Sequence, residues 1–211
     1  MAKKDIFIIG TGGHSRVIID CAEKNKFNIK GLIDINYSSK NNNNELILNY
    51  PILGDFEYLK NLSKKTFSVF LAIGDNLIRK KFYELSLKQN FHIETLKSSN
   101  SIISDYTHID EGVYIGSGAI INSESRIGKN TIINSGTIIE HETIVGDFSH
   151  VGPGTKVAGR VSIGNFVNIG IGVNIKNNVN IGNNVIIGAG SVIIKDIPSD
   201  VKVAGVPAKI I

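Results

Sequence analysis

The sequence predicts an α/β domain over residues 1–96 followed by a parallel β-solenoid over residues 97–211. Two observations carry this. From Ile103 to Ile193 every sixth residue is Ile or Val, sixteen positions in succession, and a period of six means short strands joined by tight turns. Residues 1–96 instead alternate short apolar runs with stretches of helical spacing, which implies a parallel sheet with helices on both faces. At 211 residues and 42% hydrophobic, the chain has ample core for one large domain or two small ones.

In the first half "DIFIIG" reads as a strand that runs into "TGGH". "SRVIIDCAEKN" then places Val17, Ile18, Cys21 and Ala22 at helical spacing. "IKGLIDI" is a second strand and the Asn-rich "NYSSKNNNNE" a mobile loop. "GDFEYLKNLS" is a short helix and "FSVFLAIG" a buried strand. "DNLIRKKFYELSLKQN" is a helix with Leu77, Ile78, Lys81, Phe82 and Leu85 along one side, capped by Asp75 or Asn76. "GTGGHS" nearly matches a dinucleotide-binding fingerprint, with Ser15 in place of its third glycine, and Asp34 ends the second strand where an acid can bind ribose. Backbone N–H groups at a helix N-terminus suit any diphosphate.

In the second half the position after each inward Ile or Val is often glycine, from Gly116 to Gly188, where a side chain would obstruct the turn. Four residues on, side chains are small or β-branched, as at Thr131, Thr143 and Val161. Three hexads close a triangular coil of 18 residues, giving about five coils. His141 lies two places after Ile139, in a phase otherwise held by residues such as Asp105, Lys129 and Asp147, so it faces outward. His150 ends its own hexad, also outside. Stacking at 18 residues sets Gly159 on His141, Ile132 before His150, and Glu142 between Glu124 and Arg160. Outward Ile120, Ile132, Ile138 and Ile144 need cover, and a second copy of the chain would supply it. The two histidines are half a coil apart, so they occupy different sides of one prism and could meet across a subunit boundary.

The net charge is +4, with lysines scattered and short clusters at Lys64–Lys65 and Lys80–Lys81. That is a solvated surface or an attraction for small phosphorylated ligands. No basic stretch interleaved with aromatics points to nucleic acid. Cys21 is the single cysteine, so there is no disulfide framework. In "MAKKDIFIIGTGGH" the apolar run from Ile6 to Ile9 is too short for a signal-peptide core, and no stretch approaches a membrane span. We therefore expect a cytoplasmic protein with no membrane insertion.

The segments "IIGTGGHS", "LIDI", "AIGDNLIRKK", "IEHETIVGDFSHVGPGTKVAG" and "AGVPAKII" together resemble the bacterial nucleotide-sugar acetyltransferases built on hexapeptide repeats. Their members N-acetylate UDP-4-amino-4,6-dideoxy sugars, as in bacillosamine synthesis; sialic acid O-acetyltransferases are relatives. The resemblance covers essentially the whole chain. It implies a Rossmann-like domain and a left-handed β-helix, a homotrimer, acetyl-CoA as co-substrate, and a role in surface glycan synthesis without a metal. It places the general base on His141, with Glu142 raising the basicity of that imidazole. Acetyl-CoA contacts fall on His150 and Gly159, with Ile171 and Ala189 along the thiol arm. Gly12, Gly13, His14, Asp34 and Gly74 would hold the sugar nucleotide, expected to be UDP-linked. Two departures stand out: Ile35 where a second acid is common, and "KSSN" where many relatives have His-Pro.

The chemistry agrees with the residues. Acetyl transfer from a thioester needs a base near neutral pH and donors for the developing oxyanion. Gly159 offers a backbone N–H with no side chain in the way. Three other readings are kept: a sugar O-acetyltransferase, a zinc-dependent carbonic anhydrase using His108, His141 and His150, and a purely structural β-helix.

Overall fold

The computed structural model describes residues 3–37, 45–62 and 66–211. The asparagine run of the expected loop (38–44) and the Lys64–Lys65 cluster lie outside the described residues. The chain divides into two compact units, Met1–Leu96 and Lys97–Ile211.

The first unit runs β1 (Asp5–Ile9), α1 (Gly13–Lys24), β2 (Asn28–Ile33), β3 (Leu46–Ile47), β4 (Tyr50–Gly54), α2 (Phe56–Lys60), β5 (Ser68–Leu71), α3 (Asn76–Lys88) and β6 (His92–Ile93). Its sheet has the order β3-β4-β2-β1-β5-β6. It is parallel except for the β3–β4 hairpin. β1 sits in the middle with Ile6, Ile8 and Ile9 fully buried, as a continuous apolar run in a parallel sheet should be.

The α1 stripe holds at Ile18, Cys21 and Ala22 and fails at Val17, whereas in α3 only Phe82 of the expected side is buried. In α1 the buried residues are Ser15, Ile18, Ile19, Cys21 and Ala22, while Val17 is exposed. In α3 they are Arg79, Phe82, Tyr83 and Ser86, while Leu77, Ile78 and Lys81 point to solvent. A serine or arginine packed inward reads as surface in a hydropathy pattern, and that hides much of the α3 stripe. The cap of α3 is Asp75, whose carboxylate accepts the Ile78 N–H at 2.8 Å.

The second unit is a three-sided prism of two-residue strands. A first face of six strands runs from Ile102–Ile103 through Ile138–Ile139 to Val192–Ile193. A second face of five runs from His108–Ile109 through Ile144–Val145 to Asn180–Ile181. The third includes Ile132–Ile133, His150–Val151 and Asn168–Ile169, and ends in an antiparallel hairpin, Lys202–Gly205 with Ala208–Ile210. Pairing is at 18 residues, Ile120 with Ile138 and Ile138 with Lys156. The inward Ile and Val column forms one continuous core.

Two kinds of glycine serve this coil. The one after the inward residue is required by close approach: a Cβ on Gly152 would lie 2.5 Å from the Ile169 carbonyl oxygen. Its φ is ordinary. The left-handed backbone falls two residues later, at Gly136 and Gly154 but also at Glu142, Phe148, Arg160 and Phe166. Small residues one place beyond carry hydroxyls that donate to the next coil, Thr131 to Gly146 O at 2.7 Å and Thr143 to Ala158 O at 3.2 Å. One outward residue was misjudged. Ile132 is already buried within the chain at 2% exposure, so it needs no cover, whereas Ile144 is 48% exposed.

Candidate functional site

His141 and Glu142 form the turn between the first and second faces. Glu142 takes φ 58° there, which turns its carboxylate back toward the ring. His141 Nδ1 lies 3.0 Å from Glu142 Oε2, and Arg160 Nε donates to that same oxygen at 2.9 Å. The Glu142 carboxyl is held below the usual carboxylate range by its bond to His141 and, next, by Arg160. It is therefore an anion at neutral pH and accepts a hydrogen bond from the Nδ1–H of the ring. With Nδ1 donating, Nε2 is the ring nitrogen that carries the lone pair in the neutral tautomer.

Gly159 lies directly beneath that ring. A Cβ there would sit 2.6 Å from His141 Cε1 and 2.7 Å from Nε2, so only glycine lets the imidazole rest on the next coil. The turn between the second and third faces shows what is special here. There the corresponding N–H groups of Lys129, Asp147, Asn165 and Asn183 are each taken by a side-chain oxygen one coil on, at 2.7–2.9 Å. The buried Gly159 has no such acceptor for its N–H among the described residues. A free N–H next to a histidine nitrogen is the pairing that carbonyl chemistry needs.

His150 stands on the third face, between Ile132 and Asn168 in the ladder. Asn134 Nδ2 lies 3.1 Å from its Nε2. The Asn134 amide has a settled orientation, because its oxygen accepts the Ser135 N–H at 2.8 Å. Its nitrogen therefore donates to His150, and His150 Nε2 is an acceptor. Asn134 was not singled out from the sequence. A signal was there: it occupies a place that eight other hexads, such as Gly128 and Gly152, give to glycine.

Ile171 and Ala189 stack one coil apart on the turn between the third and first faces, joined by Gly190 N–H to Ile171 O at 2.8 Å. Both are exposed. The first face thus has the His141 turn along one edge and the Ile171 turn along the other. Between them runs a groove of about 420 Å³ whose lining includes Ile138, Glu140, Lys156, Ala158, Asn174 and Lys176. One chain brings together His141, Glu142 and Gly159. It sets Ile171 and Ala189 across the same face, and His150 on the next one.

In the first unit, Gly12, Gly13, His14, Asp34 and Gly74 all line one cleft of about 430 Å³ at the C-terminal ends of β1, β2 and β5. Ligands of open α/β sheets bind at that edge. A Cβ on Gly12, Gly13 or Gly74 would meet nothing within 4 Å, so these glycines leave room for a ligand rather than for the chain itself. α1 starts at Gly13 with no side-chain cap, and its first N–H groups face an anion-binding position. Asp34 Oδ1 accepts the Asn36 N–H at 3.0 Å. Behind the cleft, Arg79 is 1% exposed and donates to Ile73 O at 2.8 Å, Gly74 O at 3.0 Å and Asn76 Oδ1 at 2.8 Å. Burial pushes its guanidinium down to about 10, which leaves it charged at neutral pH. It ties down the loop that carries Gly74, a role the sequence did not reveal.

Among the described residues no three His, Cys, Asp or Glu side chains group to hold a metal. No described helix is long and apolar enough to cross a membrane. Cys21 is buried in α1 and burial pushes its thiol up to about 11, so it is no nucleophile.

Residues 5–85 match the PglD N-terminal domain family. The perosamine N-acetyltransferase of Caulobacter crescentus, solved with CoA and GDP-perosamine, is 32% identical with a TM-score of 0.93, over 100% of this chain and 98% of that one. The acetyltransferase domain of PglB from Neisseria gonorrhoeae, solved with acetyl coenzyme A, is 26% identical with a TM-score of 0.90, over 100% of both chains. WeeI from Acinetobacter baumannii is 26% identical with a TM-score of 0.88, over 99% of this chain and 100% of that one. Among curated proteins no significant match is found. The chain belongs to the bacterial nucleotide-sugar acetyltransferases with a left-handed hexapeptide-repeat β-helix, and it is an acetyltransferase that uses acetyl-CoA.

Proposed function

We propose that this enzyme transfers the acetyl group of acetyl-CoA to the amine of a nucleotide-linked 4-amino-4,6-dideoxy sugar, in the synthesis of a bacterial surface glycan. The observation that carries the reading is the His141 turn: an imidazole held at Nδ1 by the Glu142 carboxylate, set over a Gly159 N–H that has no acceptor among the described residues. The sugar amine attacks the thioester carbonyl and His141 Nε2 takes its proton. The Nδ1–H bond to Glu142 strengthens as the ring becomes cationic. The Gly159 N–H donates to the oxyanion. The C–S bond then breaks, and the coenzyme leaves as a thiol after accepting the proton from His141. No protein nucleophile is needed.

The coenzyme is assigned to the groove of the first face, with Ile171 and Ala189 along its arm and His150 supplied by the adjoining face of a second copy. The enzyme is proposed to be a homotrimer. Its support is apolar surface on the prism, with Ile102 at 66% and Ile144 at 48% exposure, and Ile120 and Ile138 half-buried between them in sequence. The nucleotide is assigned to the first-unit cleft, with its diphosphate at the start of α1 and Asp34 on the ribose or base. Uridine diphosphate is the first candidate. Guanosine diphosphate is the second, because the C. crescentus relative was solved with GDP-perosamine and Ile35 supplies no second carboxylate here. An acetyl-CoA turnover screen against UDP-, GDP- and dTDP-linked 4-amino sugars, with sialic acid alongside, tests both acceptor and nucleotide. Turnover of sialic acid alone would make this an O-acetyltransferase.

His141→Ala should lower kcat by about 10² to 10⁴ while acetyl-CoA affinity stays nearly constant; near-normal turnover at saturating substrate removes His141 as the base. Gly159→Ala should displace the imidazole and lower kcat by about 10². Its melting temperature should barely move, because the clashing ring is the free end of a side chain that is 53% exposed. Asp34→Ala should cost about 1–3 kcal/mol at the nucleotide, which is about 5- to 150-fold in the KM of the sugar nucleotide, with calorimetry showing acetyl-CoA binding intact. Equal loss of both ligands would mean that the first unit binds the coenzyme. Sedimentation equilibrium should return three times the 22.9 kDa chain mass, and a concentration-independent monomer would contradict the assembly.

A further inference from the structure

We infer that Arg160 is a positioning residue for acyl transfer: it clamps Glu142 against His141 and, as a fixed cation, keeps the imidazole deprotonated to lower pH than a histidine–glutamate pair alone would. This rests on His141 as the base.

The geometry is a shared acceptor. His141 Nδ1 and Arg160 Nε address the same Glu142 oxygen, at 3.0 and 2.9 Å. The coil supplies a second tie, since the Arg160 backbone N–H donates to His141 O at 3.0 Å. Residues 159 and 160 therefore act as a pair, the glycine making room for the ring and the arginine fixing its partner. A carboxylate beside an imidazole favours the imidazolium, which would leave the base protonated and unable to accept from an amine. A guanidinium on the same oxygen offsets that pull. Two groups that share one acceptor are no more than about 6 Å apart, where a unit charge shifts a midpoint by about half a pH unit in wet surroundings and more as the dielectric falls. The sign is fixed. Removing the cation stabilises the imidazolium and raises its midpoint; removing the anion lowers it.

Other charges adjoin this turn: Glu140 on the same turn, Glu124 and Arg126 one coil before, and Lys156 one coil after. They stay constant across the variants, as does any neighbouring subunit, so differences report Arg160 and Glu142 alone.

The test is the His141 titration by histidine-selective NMR in the full-length protein, its signal identified by its loss in His141→Ala. Arg160→Met should raise the midpoint by about 0.5 unit or more. Arg160→Lys, which keeps the charge, should leave it within about 0.2 unit. Glu142→Gln should lower it. Arg160→Gln replaces the methionine variant if that one melts early. An unmoved or lowered midpoint in the neutral Arg160 variants overturns the inference, because a merely structural arginine would leave the ring alone or free Glu142 to swing away. The titration needs no substrate, so it is independent of the base assignment. If His141→Ala keeps full turnover the base reading fails, whatever the midpoints show.

Discussion

Residues 18 apart must lie one strand spacing apart, because the ladder pairs Ile120 with Ile138, Ile138 with Lys156 and Lys156 with Asn174. Parallel strands leave about 4.8 Å between such partners. Every outward side chain therefore has a close neighbour whose identity is set 18 residues away. For the inward column the result is a core of stacked Ile and Val. For the outward turns it is a severe limit on size. An imidazole can lie flat on the next coil only where that coil has no side chain, and Gly159 is that place. The site and the fold thus obey one rule.

The same rule separates the turns by how their N–H groups are satisfied. Along the Asp147 turn, Asp or Asn recurs every 18 residues and each side chain caps the N–H below it. The His141 turn, at another corner, carries a different column, Ser123, His141 and Gly159, and the histidine turns to Glu142 instead. Leaving a buried N–H without a partner is costly. In the His141 column the N–H groups of Ser123, His141, Gly159 and Asn177 all lack an acceptor among the described residues, and of these four residues Gly159 is the one that is buried.

The period of six was legible because it is a backbone repeat written directly in side chains, and it located the coil, the outward phase of His141 and its contact with Gly159. What the sequence hid has two causes. Polar residues packed inward disguise much of the buried face of α3, where Arg79 and Ser86 are inside and Leu77 is exposed, while in α1 the apolar spacing marks Ile18, Cys21 and Ala22 but also the exposed Val17. Long side chains also reach off their own column. Asn134 meets His150 at a separation of 16 residues, which an 18-residue grid does not predict. Ile132 shows the converse, outward by phase yet covered within the chain. Short strands without period, β3 and β6, gave no signal at all.

His141 and His150 differ in their hydrogen-bond partners for the same reason. Each accepts at one nitrogen or donates at the other according to a fixed partner: the Glu142 carboxylate accepts a hydrogen bond from His141 Nδ1–H, while the Asn134 amide donates one to His150 Nε2. The first ring is left with a lone pair facing outward and a carboxylate that gains strength as the ring charges. The second has its Nε2 lone pair already engaged, and a neutral amide offers no counter-charge to an imidazolium. Only the first has a carboxylate as its partner. Two histidines nine residues apart therefore differ in their hydrogen bonding because of their neighbours, Glu142 and Asn134, rather than in the imidazoles themselves.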